Sequence, residues 1–446
     1  MFADVIPRAT HNAALSFHES THAMPKEKTQ KTTPPASQLV VCIGIDWADQ
    51  LHAYHLTDLN GKPVAGTVQQ QPGQIKELFE IWRQQFPAAL FCVAIEQSKG
   101  PLIHILLDFS DVMIYPINPA ALASYRKAFA HGGGKNDPSD AQLLCQYLEN
   151  YRDQLRPLRT DDPLTKELTS LAEDRRRLVD QRAGLSNELR AMLKLYFPVI
   201  LELKAAKLYA DFLIRFLRKY PTLSDAQKAG ANKLRKFFYG VGAEKTAEAR
   251  VQKILDAVPL TENEVTIRCH ARRVTAIVEM IHTLNTQIDR YDDAIHELVR
   301  QHADYAIVAS LPGASNNSHC RIIAALGDDR TRFANASALQ SATGIAPITN
   351  QSGKTKTVSS RWACSKFLKQ TFHEYAALSI TKSQWAKAYY DQQRLQGKSA
   401  QVARRALAFK WIRIIYRCWQ DRVPYNEAKY IQRLKDTGSP LAKLLT

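Results

Sequence analysis

From residue 39 the chain reads as three short extended runs, LVVCIGIDWA, LHAYHLTDL and VAGTVQQ, joined by brief turns. The pattern then changes to alternation. The helical run GQIKELFEIWRQQF precedes the extended ALFCVAIEQ, and after PLIHILLDF comes a further strand, VMIYPIN. Helical AALASYRKAF and PSDAQLLCQYLEN follow. Extended runs of period two and helical runs of period 3.6 bury different faces, so this order restricts the segment to a mixed α/β sheet of about 110 residues.

Three turn-linked strands followed by strands alternating with helices is the ribonuclease H arrangement, and it gives the acidic residues a meaning. Asp46 ends the first strand in GIDWA, and Glu96 ends the fourth in AIEQS. Those strands are neighbours in such a sheet, so both carboxylates project from one edge. Asp137 and Asp140, in GGGKNDPSDA, begin the following helix, and an i, i+3 spacing puts them on one helical face. Four carboxylates can converge there. Clustered like charges repel unless cations neutralise them, and oxygen-only ligands select a hard ion such as Mg²⁺. Two such ions can activate a nucleophile and stabilise a leaving oxygen at a phosphodiester. Gly132 to Gly134 allow close backbone approach, and Lys135 is a candidate DNA contact. Each acid also has an ordinary reading: Asp137 as a helix cap, Asp140 as a partner of the helix dipole, Asp46 as a strand-end turn residue.

The remaining chain divides by composition. Residues 1–38, rich in Thr, Pro, Lys and Ser without periodicity, read as a disordered tail, and 39–150 as the sheet domain. Residues 151–303 read as helical. Val274, Ile277, Ile281, Leu284, Ile288, Tyr291, Ile295 and Leu298 form a heptad seam. A matching seam runs from Leu164 through Leu168, Leu171, Leu178, Leu185, Leu189 and Met192 to Tyr196, interrupted at Arg175 and Arg182. The two pair either as an intrachain antiparallel hairpin or as a dimerisation coiled coil. Residues 304–446 read as mainly helical, opening with YAIVASLPGASNNSHCRIIAALGD, a helix-hairpin-helix-like element whose turn amides can approach a phosphate backbone.

Charge points to a polyanion. The net charge is +17, yet residues 40–150 carry seven Lys and Arg against eleven Asp and Glu, whereas residues 350–420 carry fourteen against two. A localised basic excess interleaved with aromatics, as in RRALAFKWIRIIYRCWQDR, favours nucleic acid, with Arg404, Arg405 and Arg413 as candidate contacts. The seven cysteines stand singly, without a zinc spacing, and read as reduced thiols of a cytosolic protein. No segment offers the ~18 uninterrupted apolar residues of a membrane helix. His131 with Gly132 to Gly134 mimics an oxyanion loop but lacks a G-x-S-x-G partner, and SGKT at 352–355 and GKS at 397–399 lack the upstream glycine of a phosphate loop.

GIDWA, AIEQS and KNDPSDA, then a helical spacer, then LPGASNNSHCRIIAALGD and FANASALQSATGIAPITNQSGK, together resemble the DEDD-type insertion-sequence transposases. These are the bridge-RNA-guided recombinases, related to pilin-gene DNA invertases. The likeness covers nearly the whole chain beyond residue 39, although the stretch 200–265 is longer than the family's minimal spacer. It implies a RuvC-like domain whose four acidic metal ligands fall on Asp46, Glu96, Asp137 and Asp140. It also implies a nucleophilic serine after a Gly-x-x-Pro element, which falls on Ser352 after Gly344 to Pro347, flanked by Lys354, Lys356 and Arg361. The implied activity is RNA-guided DNA recombination through a covalent serine–DNA ester, at a composite site that different subunits of a dimer or tetramer often share. The implied partners are donor DNA, target DNA and a structured noncoding RNA, in the bacterial cytoplasm at the nucleoid. A serine in a Gly-containing loop is commonly a turn residue. The alternative function is therefore a RuvC-like, metal-dependent, structure-selective nuclease in which water attacks.

Overall fold

The computed structural model describes residues 39–129, 137–203, 207–353 and 355–445. The expected tail 1–38, the loop carrying Gly132 to Gly134 with Lys135, and Lys354 lie outside them. Two compact units divide at Arg159 and Thr160.

The first unit is a mixed α/β sheet domain. Strands β1 (Val40–Asp46), β2 (Leu51–Thr57) and β3 (Pro63–Gln69) form an antiparallel meander. Helix α1 (Pro72–Gln85) then leads to β4 (Leu90–Ile95), and α2 (Pro101–Leu107) leads to β5 (Val112–Pro116). Both β4 and β5 lie parallel to their neighbours, giving the order β3-β2-β1-β4-β5. Helices α3 (Pro119–Phe129) and α4 (Asp137–Tyr151) complete the unit.

Both sheet faces are covered, which explains why β4 is buried along its whole length. Ile43, Ile45, Phe91, Val93 and Ile95 point into one core with Phe79 and Trp82 of α1. The alternate residues Leu90, Cys92 and Ala94 point into the other, with Leu144 and Leu148 of α4. On that second face Gly44 is decisive. A Cβ there would meet the Ala141 carbonyl oxygen and the Cys145 amide, so only glycine lets α4 lie flush on β1.

The second unit is mainly helical. It opens with α5 (Pro163–Tyr196), whose first turn is capped by Asp162 accepting from the Thr165 amide at 3.0 Å. Helices α6 (Asp211–Lys219), α7 (Leu223–Gly240) and α8 (Glu244–Leu255) follow, then α9 (Glu264–Val299). Of the two pairings open to the heptad seams, the structure shows the intrachain antiparallel hairpin. Leu168, Leu189 and Tyr196 of α5 and Val274, Ile281, Ile288 and Ile295 of α9 are buried. Both seam interruptions have cross-helix partners. Arg175 makes a two-pronged pair with Asp292, at 2.7 and 2.9 Å. Arg182 donates to Asn285 at 2.8 Å and lies 3.9 Å over the Tyr209 ring.

Beyond the hairpin come α10 (Tyr305–Ala309), a turn with Gly313 at φ +79°, and α11 (Asn316–Leu326). Then follow α12 (Ala336–Ala342), a two-stranded hairpin β6 (Ile348–Ser352) and β7 (Thr355–Ser359), and α13 (Lys366–Ser379). Helices α14 (Gln384–Leu395), α15 (Ala400–Asp421) and α16 (Glu427–Asp436) end the unit. Leu168, Ala172, Ile295 and Val299, near one end of the α5–α9 hairpin, share a core with Trp385, Trp411 and Trp419. The indole of Trp385 donates to the Tyr425 hydroxyl at 2.7 Å, and that of Trp411 to Ser379 at 2.8 Å, so two large rings are buried without stranding their N–H groups.

Candidate active site and nucleic-acid surface

The acidic site is built on two parallel strands and one helix. Asp46 is the last residue of β1 and half-buried, and Glu96 follows β4 directly and is exposed. The pairing of β1 with β4 runs Val40 to Leu90 through Gly44 to Ala94, and continuing it by two residues sets Asp46 in line with Glu96. Alternation gives Asp46 the parity of Gly44, and Glu96 that of Ala94, on the face that α4 covers.

Helix α4 supplies the other two acids. Asp140 is buried beside Ala141, the residue whose carbonyl lies against Gly44. Its carboxylate is met by Arg126 of α3, whose Nη2 lies 2.5 Å from Oδ1, and the Arg126 Nε is buried without a partner. No local motif singled out Arg126. Its signal was positional: it lies fourteen residues before Asp140, on the helix preceding α4. Asp137 is the first residue of α4, and for this residue only the backbone is described. Among the described residues no group of three or more His, Cys, Asp or Glu side chains is assembled to hold a metal ion.

Two histidines flank this region of the sheet. His52 accepts from the Ala48 amide at 3.3 Å through Nδ1 and is bonded to Gln70 Oε1 at 2.6 Å through Nε2. Burial lowers the pKa of both His52 and His55. Burial thus favours the neutral form of both rings.

Ser352 closes β6 and pairs with Thr355 across the turn at Gly353, which has φ +56°. A two-residue hairpin turn demands positive φ, so this glycine is conformationally required. Of Ser352 and Lys356 the backbone placement alone is described. Between Asp329 and Glu374 the sequence holds no Asp or Glu, so the hairpin has no carboxylate in its own segment. Lys369 of α13 holds the segment after β7, donating to the Arg361 carbonyl at 2.8 Å and to Ser360 Oγ at 3.2 Å. Arg361 is half-buried.

On α15 the apolar side packs Leu407, Trp411 and Ile415. Arg404 and Arg405 are half-buried rather than solvated, whereas Arg413 is exposed. A second basic surface has no counterpart in the sequence pattern. An open groove of about 620 Å³ is lined by Arg215, Arg218, Lys219 and Lys236, with Phe237 and Glu279. Its cations come from α6 and α7, brought together only by the fold.

Comparison with known proteins decides the family. A transposase family model, DEDD_Tnp_IS110, matches residues 43–198, and a second, for the IS116/IS110/IS902 transposases, matches residues 305–391. The chain belongs to the IS110 family of transposases. As such it is an enzyme that cleaves DNA and transfers strands. Relatives align over most of its length. "Mini-circle putative transposase for IS117" of Streptomyces coelicolor is 27% identical over 88% of this chain and 96% of its own. The "Insertion element IS110 uncharacterized 43.6 kDa protein" of the same organism is 24% identical over 86% and 95%. The "Insertion element IS900 uncharacterized 42 kDa protein" of Mycobacterium paratuberculosis is 27% identical over 75% and 84%. Neither family model covers 199–304, which contains α6, α7 and their basic groove. Among the described residues no helix is long and apolar enough to cross a membrane.

Proposed function

We propose that this IS110-family transposase uses a RuvC-like first unit, with Asp46, Glu96, Asp137 and Asp140 as ligands for Mg²⁺, and Ser352 of the second unit as the nucleophile that joins transiently to DNA. The β1–β4 register carries the reading. It sets Asp46 level with Glu96 on the face where Gly44 admits the helix bearing Asp137 and Asp140. All four acids fall, in the order Asp, Glu, Asp, Asp, inside the span matched by the DEDD model.

The residues present suit a hard cation. The donor set is carboxylate oxygen, and the buried Asp140 already draws a positive group, the Arg126 guanidinium, onto itself. Bound there, Mg²⁺ would neutralise the acids and polarise a phosphodiester oxygen. The chain's own residues supply the rest. Lys354, Lys356 and Arg361 flank Ser352 and would offset charge on a pentacovalent phosphate, while the serine lacks a local carboxylate to take its proton. That base must come from the acidic unit, in cis or from another subunit of a homo-oligomer. An ester to serine conserves the energy of the broken phosphodiester, so rejoining requires no nucleotide, in keeping with a sequence that lacks a phosphate loop.

Donor and target DNA, and a structured guide RNA, would be held by the basic second unit, with Arg404, Arg405 and Arg413 among the contacts, and by Lys135, two residues before Asp137 in the sequence. Such a protein works in the cytoplasm, on the nucleoid. The reading is tested with purified protein, its copurifying RNA and labelled donor DNA. Strand cleavage should need Mg²⁺ and vanish in Asp46→Asn and Glu96→Gln. The copurifying RNA should map to the element's own noncoding end. Cleavage that persists in both variants removes the acidic site from the chemistry.

A further inference from the structure

Trp362 stands apart from the other five tryptophans. Trp82, Trp385, Trp411 and Trp419 are fully buried and Trp47 is half-buried, whereas Trp362 is 93% exposed. Its loop is nevertheless firmly held. Lys369 grips the Ser360 hydroxyl and the Arg361 carbonyl on one side. On the other, the Cys364 amide donates to the Trp362 carbonyl at 2.9 Å, and the Cys364 side chain packs against Gly344, where φ is +69° and a Cβ would not fit. Ser365 then caps α13. A backbone tethered on both sides of a solvated indole holds the ring's point of attachment at the surface.

The surroundings select the ligand. Arg361, Lys366 and Lys369 lie within seven residues of Trp362, the nearest acids in sequence are Asp329 and Glu374, and the exposed apolar neighbour is Val358. An apolar protein partner would find a single exposed ring in a segment whose charged residues are all basic. An unpaired base attached to a phosphate backbone satisfies both, with its face on the indole and its phosphates on the cations.

We infer that Trp362 is a stacking platform for an unpaired DNA base near the strand break. Its position relative to the break rests on the Ser352 reading proposed above. From the Ser352–Thr355 pair to the Ile348–Ser359 pair is four residue steps, about 14 Å, and Trp362 lies three residues beyond. Strand exchange requires unpaired bases, and this ring would hold one of them out of the duplex.

The test is binding with metal chelated, so failure of the serine or carboxylate chemistry leaves it interpretable. Full-length protein with its RNA is titrated with an oligodeoxynucleotide duplex carrying a central mismatched thymine run, and with the fully paired duplex. The mismatched duplex should bind more tightly, and it should shield the most acrylamide-accessible tryptophan. Trp362→Ala should weaken binding to the mismatched duplex by about five- to a hundredfold while leaving the paired duplex unchanged. Trp362→Phe should retain most of the preference. The inference is overturned if Trp362→Ala binds both duplexes like the wild type, or if it weakens them equally. Loss confined to an unpaired RNA loop, or tryptophan shielding that rises with protein concentration without DNA, would overturn it as well.

Discussion

Asp140 and Arg126 show what sequence can reveal of a residue and what it cannot. The i, i+3 spacing made Asp137 and Asp140 conspicuous, but no local pattern links Asp140 to an arginine one helix earlier. Only burial of the carboxylate reveals that a positive group is needed. Removing Arg126 leaves that need unmet. Arg126→Ala should cost about 1.5–3 kcal/mol, the worth of a hydrogen bond to a charged partner. If the acids bind Mg²⁺, the ion should raise the Tm of this variant more than that of the wild type, as followed by thermal melts with and without chelator. In sequence Gly44 is one letter of GIDWA, whereas in the fold it is the contact that seats α4. Gly44→Ala should lower Tm and activity together, since a new methyl group must push the Ala141 carbonyl away.

Among elements, periodicity was the most legible signal. The short extended runs of the opening strands and the heptad seams of α5 and α9 mark their elements directly, so the elements and their order could be read from the chain. The pairing of the seams could not, because a heptad pattern buries the same residues against either partner. The Arg175–Asp292 and Arg182–Asn285 contacts fix it, and they join residues more than a hundred positions apart. Helix α11 yields a prediction of its own. His319 is buried with both ring nitrogens unpartnered, and burial holds its pKa down to about 4. Below pH 6.5 the unfolded chain takes up the proton first. The stability this neutral histidine contributes is therefore full above pH 6.5 and is lost as pH falls towards 4, at up to about 1.4 kcal/mol per unit. His319→Leu should flatten that limb of a Tm-against-pH curve, and an unchanged slope would assign the acid sensitivity to other groups.

At the scale of the whole molecule, charge is the feature composition conveyed best: a mildly acidic first unit, and a second whose basic excess lies between residues 350 and 420. The surfaces that carry it were less legible, because half-burial of Arg404 and Arg405 and the α6–α7 groove depend on how helices pack. Replacing Arg404, Arg405 and Arg413 with Ala should lower the log–log salt slope of duplex binding by about 0.9 for each phosphate no longer neutralised. Exposed Arg413 should account for more of the change than either half-buried neighbour, as single variants in a salt titration would reveal.

On the proposed reading, the second unit attacks DNA through Ser352 while the first supplies the activation that the segment around Ser352 lacks. Denaturing electrophoresis of end-labelled DNA after reaction in Mg²⁺ tests it most directly. The wild type should yield a shifted, protease-sensitive band, and Ser352→Ala should yield none while still binding RNA and DNA. If the site is shared between subunits, mixing Ser352→Ala with Asp46→Ala protein should restore part of the adduct. A protease-sensitive band that persists in Ser352→Ala would contradict the assignment of the nucleophile. Metal-dependent cleavage without any adduct in the wild type would contradict the serine mechanism itself, leaving water as the attacking group.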